Sequence, residues 1–190
     1  MPMPLPFHII TGGPGSGKTS LITALGEHGI ATVPEAGRAV IRSVVAAGGD
    51  ALPWGDRLAF AEKMARFDLS TLERAEAEAA AMQAAGKSPA PVVFDRGLPD
   101  VVGYLALCGL AVPDWILRAV AEPRYARRVF IAPFWPQIYA TDTERRQSPD
   151  EARRTTQVMI ETYSALGYEL VELPRASIAA RAAFVLDALA

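Results

Sequence analysis

Asparagine is absent from this 190-residue sequence, and cysteine, histidine and lysine occur only once, twice and three times. Without asparagine the Asn-Lys-x-Asp motif that reads guanine cannot exist, which argues against a GTPase. The lone thiol, Cys108, excludes an internal disulfide or a multi-cysteine metal site. Its apolar neighbours place it in the core, and a reducing cytoplasm suits it. No apolar run approaches the ~18 residues that span a bilayer, and Met1 to Phe7 carries no basic residue with which to start a signal sequence. Neither secretion nor membrane insertion is expected. Positive charge is not in excess either: 19 basic against 21 acidic side chains give a net charge of -2, with no basic stripe to attract nucleic acid. Lys18, Lys63 and Lys87 are the lysines and the other cations are all arginine, a compositional bias that lowers the meaning of any one surface arginine.

What is present reads as one α/β domain over residues 1–190: hydrophobic residues make up 51% and charged residues 21%. Five short apolar runs predict strands at Leu5–Ile10, Ile30–Val33, Val92–Phe94, Arg128–Ala132 and Tyr168–Leu173. Long helical segments separate them, and near-continuous apolar runs suit strands covered on both faces, so a parallel sheet with helices on both sides is expected. Ser148-Pro149-Asp150-Glu151 is a capping box with proline at the first helical position, and Gly167 closes that helix. Pro53 opens a long helix towards Gly86, with a break in its middle left open. Pro99 and Pro113 mark first turns, and Ser177 caps the last helix.

The chemistry is concentrated in Gly12-Gly13-Pro14-Gly15-Ser16-Gly17-Lys18-Thr19, a G-x-x-x-x-G-K-[ST] sequence with a predicted strand before it and apolar-periodic residues after it. Glycines let the backbone wrap an anion, and the helix that follows adds its N-terminal partial charge. Gly13, Pro14, Gly15, Ser16, Gly17, Lys18, Thr19 and Ser20 are therefore the expected ATP contacts. Lys18 reaches the β- and γ-phosphates, and the Thr19 hydroxyl sits on Mg²⁺. The chain is too short for a separate helical lid domain and lacks the asparagine sensor, which argues against a ring-forming AAA+ motor. No LSGGQ-type signature marks a transporter ATPase.

Three further segments fit a small kinase. Val92-Val93-Phe94-Asp95-Arg96 sets an acid and a cation at the carboxyl end of a buried strand, where ligands gather in open α/β sheets. Asp95 is a metal candidate, and Arg96 is a candidate to contact the phosphoryl group or the acceptor. Glu35, just after the second strand, is the candidate base for the acceptor hydroxyl, with the reverse division between Glu35 and Asp95 left open. The polar stretch at residues 139–154 reads as a lid bringing Arg145 and Arg146 over the transferring phosphate. Arg153 and Arg154 read as surface residues of the following helix. Trp54, Arg57, Arg38 and Asp100 follow strands two and three and can line an acceptor cleft, although Trp54 equally suits a core anchor. His8 and His28 read as structural.

The P-loop, Pro34-Glu35-Ala36-Gly37-Arg38, Phe94-Asp95-Arg96-Gly97-Leu98-Pro99-Asp100, Phe134-Trp135-Pro136 to Tyr139, Asp142-Thr143-Glu144-Arg145-Arg146 and Leu166-Gly167-Tyr168 together resemble a family of AAA-labelled predicted ATPases. That family is similar to the nicotinamide riboside kinase part of the bacterial regulator NadR and, more distantly, to deoxynucleoside kinases. The resemblance implies a nucleoside-kinase-like P-loop NTPase fold, a five-stranded parallel sheet of order 2-3-1-4-5, and bound ATP with magnesium. It also implies an adenine site near Pro174 and Arg175. Asp-Arg-Gly stands here where deoxynucleoside kinases carry Glu-Arg-Ser. Two functions follow as expectations: a kinase for an unidentified nucleoside-like acceptor, or a regulatory ATPase with a protein partner and slow hydrolysis.

Overall fold

The computed structural model describes residues 6–138 and 148–189. Its strands are β1 (Phe7–Gly12), β2 (Ala31–Val33), β3 (Val92–Asp95), β4 (Arg128–Ala132) and β5 (Glu169–Glu172). All pairings are parallel, in the order β2-β3-β1-β4-β5. The helices are α1 (Lys18–Glu27), α2 (Ala36–Ala46), α3 (Arg57–Ala84), α4 (Leu98–Leu107), α5 (Asp114–Ala121), α6 (Pro149–Ala165) and α7 (Ile178–Leu189). None of the described helices is long and apolar enough to cross a membrane.

Side chains alternate across a strand, so neighbouring apolar residues serve opposite faces of the sheet. Ile9 and Phe94 join Phe60, Leu72 and Leu105 in a core on the α2, α3 and α4 side. Ile10, Val93 and Phe130 join Leu21, Leu25 and Val185 on the α1 and α7 side. This two-sided burial is why the central strands read as unbroken apolar runs. The two edge strands differ. β2 has only three residues, and β5 ends in exposed glutamates, both of which limit pairing with another chain.

Element boundaries move where a polar residue is buried or a cap overrides hydropathy. β1 continues through Thr11 and Gly12, which pair with Ile131 and Ala132 of β4. The long helix starts at Arg57 rather than Pro53, because the Asp56 side chain accepts from Ala59 N at 2.9 Å and caps it. It runs unbroken for 28 residues, anchored in its middle by buried Ala65, Leu72 and Ala75. Pro113 is the cap of α5 rather than its first residue. Ser148 and Glu151 form the expected reciprocal cap of α6, and Ser177 Oγ accepts from Ala180 N at 3.3 Å at the start of α7. Cys108, expected in the core, is half-buried at the end of α4.

Gly12 lies where β1 must pass close to β4. Its φ is 132°, and a Cβ there would stand 2.3 Å from the Ala132 carbonyl oxygen, a backbone atom with no room to move. Overpacking and backbone strain together predict that Gly12→Ala costs about 2–4 kcal/mol. Urea unfolding at unchanged m-value should show the lowered midpoint, and an unshifted midpoint would refute the close-approach argument.

Candidate functional site

The carboxyl ends of β1, β2 and β3 open into a cleft of about 770 Å³. Its floor is the loop between β1 and α1. Gly15 and Gly17 take left-handed φ values of 70° and 79°, which turn the chain tightly into α1. Among the described residues, the N–H groups from Gly15 to Thr19 find no acceptor, the state expected of donors that serve an anion. Lys18 is buried, and its Nζ donates to Gly12 O at 2.9 Å, Gly13 O at 2.7 Å and Ser16 Oγ at 3.2 Å. Burial, with Arg96 adding to it, pulls the Lys18 ammonium down to about 7 against the pull of Asp95, Glu35 and Asp100. Thr19 and Ser20 lie exposed in the first turn of α1.

The loop is gripped from behind by two helices. Gly13 N donates to Thr156 Oγ1 of α6 at 3.1 Å, and a Cβ on Gly13 would collide with that oxygen at 2.4 Å. Arg181 of α7, 1% exposed, donates from Nη1 to Ser16 O at 2.8 Å, and its Nη1 would meet a Cβ on Gly17 at 2.8 Å. Sequence reading missed both Thr156 and Arg181. Each lies more than 140 residues from its partner, and neither belongs to a motif.

Facing the loop is a cluster of charges at the ends of β2 and β3. Asp95 pairs with Ile10 in the sheet, is 8% exposed, and keeps Oδ1 without a partner. Burial pushes its carboxyl above the ordinary range, against the pull of Lys18 and Arg96. Arg96 is the one described non-glycine residue with positive φ, at 69°. Strain of this kind collects at functional sites. Its Nε donates to Glu35 Oε1 at 3.2 Å and its Nη1 to Asp100 Oδ1 at 2.9 Å. Burial opposes the charge of Arg96, but Glu35, Asp100 and Asp95 more than offset that and raise its pKa. Glu35 stands at the start of α2, with its other oxygen 3.8 Å from Arg38 Nε.

Asp100 lines the cleft, as expected, but its oxygens are already committed. Its Oδ1 accepts from Thr11 Oγ1 at 2.6 Å and from Arg96; its Oδ2 accepts from Gly97 N at 3.1 Å and Tyr163 OH at 2.5 Å. With four donors in place it is an anchor. Trp54 is 69% exposed at the cleft rim, so it is not a core anchor. Arg57 turns back onto Pro53 O at 3.1 Å, while Arg38 lines the cleft. Arg154, read as a surface residue, lines the cleft from α6, and Arg153 lies over the Phe134 ring at 5.2 Å. Ile178 rather than Pro174 or Arg175 completes the wall, and Arg175 pairs with Glu172 at 3.1 Å. His8 lies half-buried in β1, and His28 Nδ1 donates to Ala24 O at 2.7 Å at the end of α1. Arg145, Arg146 and most of the expected lid lie outside the described residues.

Whether these residues suit magnesium is a question of donor chemistry. No group of three or more His, Cys, Asp or Glu among the described residues forms a metal cage. Magnesium in phosphate chemistry does not need one: it takes one or two protein oxygens and completes its shell from phosphates and water. The unpartnered Asp95 Oδ1 and the exposed Thr19 hydroxyl fit that requirement.

A family model described as an AAA domain matches residues 7–181. The chain belongs to that AAA domain family. No protein of curated function matches its sequence significantly. Among solved structures, this AAA domain is similar to shikimate kinase from Acinetobacter baumannii in complex with shikimate, with a TM-score of 0.57 and 14% identity, over 97% of this chain and 91% of that one. It is also similar to thymidylate kinase from Ehrlichia chaffeensis, with a TM-score of 0.58 and 16% identity, over 96% of this chain and 97% of that one. At such identity the likeness is one of fold: the AAA domain has the P-loop kinase architecture, with the sheet order 2-3-1-4-5 found here.

The depressed Lys18 pKa carries a sign that can be measured. Between about 7 and its ordinary 10.5 the unfolded chain binds a proton on Lys18 that the folded chain does not, so folding stability should rise with pH across that window. Lys18→Met should remove that contribution. Equal slopes for the two proteins in urea titrations at a series of pH values would contradict the burial argument.

Proposed function

We propose that this chain is a small-molecule kinase that moves the γ-phosphoryl group of MgATP to a hydroxyl of a nucleoside-like acceptor. The observation that carries the reading is the continuity of the cleft. It runs from the P-loop past Asp95 and Arg96 to Glu35 and then on into an apolar recess beside α3 and α4, which gives an acceptor a place next to a carboxylate. A nucleotide hydrolase needs room only for water at that point.

The roles follow from position. The N–H groups of the loop and Lys18 hold the triphosphate, Lys18 exchanging its own loop carbonyls for phosphate oxygens whose negative charge favours the ammonium form. Asp95 and Thr19 are the residues to hold magnesium, which when bound neutralises charge on the β- and γ-phosphates. Glu35, more open than Asp95 and on the acceptor side, takes the proton of the attacking hydroxyl. An acceptor O–P bond then forms as the bond from the γ-phosphorus to the bridging oxygen breaks, and ADP leaves. Arg96 donates to Glu35 Oε1 and so orients that carboxyl group at the cleft. The resemblance to nicotinamide riboside kinases supports a nucleoside-like acceptor.

Release of ADP from MgATP, measured with and without a panel of nucleosides, sugars and vitamin precursors and with Lys18→Ala as the blank, tests the reading. One compound should stimulate turnover and be recovered as its phosphate ester. Glu35→Gln should lower that transfer by about 10²–10⁴-fold while leaving MgATP affinity nearly unchanged. Unchanged transfer would remove Glu35 from the role of base. Slow hydrolysis that no compound accelerates would favour the partner-gated ATPase instead.

A further inference from the structure

The recess beyond Glu35 holds two polar groups that no motif announces. Asp68 of α3 lines it, is 8% exposed, and has no hydrogen-bond donor among the described residues. Tyr104 of α4 lines the same recess; its hydroxyl is buried without a partner of normal geometry, and the thiol of Cys108, a weak hydrogen-bonding group, and the charge of Arg57 act on it. Their surroundings are apolar: Phe60, Met64, Val101 and Met159 line the same space, with the Phe60 and Tyr104 rings edge to face at 5.5 Å. Burying a hydroxyl without a hydrogen-bond partner, as at Tyr104, costs stability, and such a cost is tolerated where a ligand later supplies the partner, while the Asp68 carboxyl lines the cleft with no described donor bound to it.

The charge of the recess decides what kind of ligand that is. Glu35, Asp68 and Asp100 are gathered on the acceptor side. The cation among them, Arg96, already spends its hydrogen bonds on Glu35 and Asp100, and Arg38 lies against Glu35 at the rim. Lys18 belongs to the P-loop, and Arg154 lines the cleft from α6. A carboxylate or phosphate on the acceptor would therefore be desolvated beside acidic groups whose described neighbouring cations, Arg96 and Arg38, already face Glu35 and Asp100. Burial, reinforced by Asp100 and Glu35, also pushes the Asp68 carboxyl well above the ordinary range, and in its protonated form such a group both donates and accepts.

We propose that Asp68 and Tyr104 are the acceptor-reading groups of this cleft, and that they select an uncharged nucleoside-like molecule presenting an adjacent donor and acceptor pair while excluding anionic acceptors. The proposal rests on the kinase reading for the word acceptor, but the recess and its selectivity can be tested by binding alone. The apolar walls take the flat body of the ligand, and the carboxyl meets a lactam- or amidine-like edge through two hydrogen bonds. Chain positions give the geometry: Asp68 and Tyr104 approach from neighbouring helices, and Glu35 lies at the mouth, where the reacting hydroxyl would be.

Calorimetric titration of the full chain with adenosine, cytidine and thymidine, with their monophosphates and with shikimate, tests this. At least one uncharged nucleoside should bind, and its monophosphate should bind about tenfold more weakly or worse. Asp68→Leu should weaken that nucleoside by about tenfold or more, and Tyr104→Phe by a smaller factor, while MgATP affinity stays within about twofold and reports that the variants are folded. Asp68→Asn, which keeps the shape but fixes donor and acceptor on opposite arms, should change the preference among the nucleosides. Tighter binding of a monophosphate or of shikimate, an Asp68→Leu protein with unaltered nucleoside affinity, or no binding by any probe would overturn the proposal. A nucleoside that binds through Asp68 but is never phosphorylated would uphold the pocket and defeat the kinase reading instead.

Discussion

One buried carboxylate holds the working end of this protein together. Asp100 accepts hydrogen bonds from Thr11 at the end of β1, from Arg96 and Gly97 in the turn after β3, and from Tyr163 of α6. Those donors come from separate parts of the chain, and Asp100 is only 6% exposed, so its lone pairs are largely shielded from solvent. A buried charge is stable only when its hydrogen-bonding capacity is filled, and removal of any one donor would leave part of it unsatisfied. The strand that leads into the P-loop, the strained Arg96 and the helix behind the loop are thereby fixed relative to one another. Arg96 in turn fixes Glu35, which extends the same network to the end of β2.

From that anchor the cleft divides by electrostatics. On one side the P-loop gathers N–H groups, the N-terminus of α1 and Lys18, and it is held rigid by Thr156 and Arg181 from behind. On the other side the carboxyl groups of Glu35 and Asp68 look into an apolar recess. The boundary between the two is Asp95, with a free oxygen, and Arg96, whose cation is neutralised by its neighbours. An arrangement that is electropositive where phosphate would lie and uncharged or acidic where a second molecule would enter has two chemically different halves. That asymmetry is what the proposed kinase reading requires, and the fold shared with the shikimate and thymidylate kinases provides a scaffold for it.

Local signals carried much of the architecture. Glycines that require φ values of 70° and 79° and strands buried on both faces are written in short stretches, because close backbone approach and two-sided burial each demand particular residues. The same holds for the reciprocal cap of α6 and for the placement of Glu35, Asp95 and Arg96 at strand ends. Element limits were less legible wherever a polar residue is buried, as at Thr11, or a side-chain cap outranks a proline, as at Asp56. What the sequence by itself determined is therefore the P-loop, the parallel α/β sheet and the acid and cation pair beside it. Only the tertiary structure decided that Asp100 is an anchor rather than a ligand, that Thr156 and Arg181 grip the loop, and that Asp68 and Tyr104 share a recess. These roles depend on which distant groups meet and on how far water is excluded from them, and neither quantity is expressed in the spacing of residues along a chain.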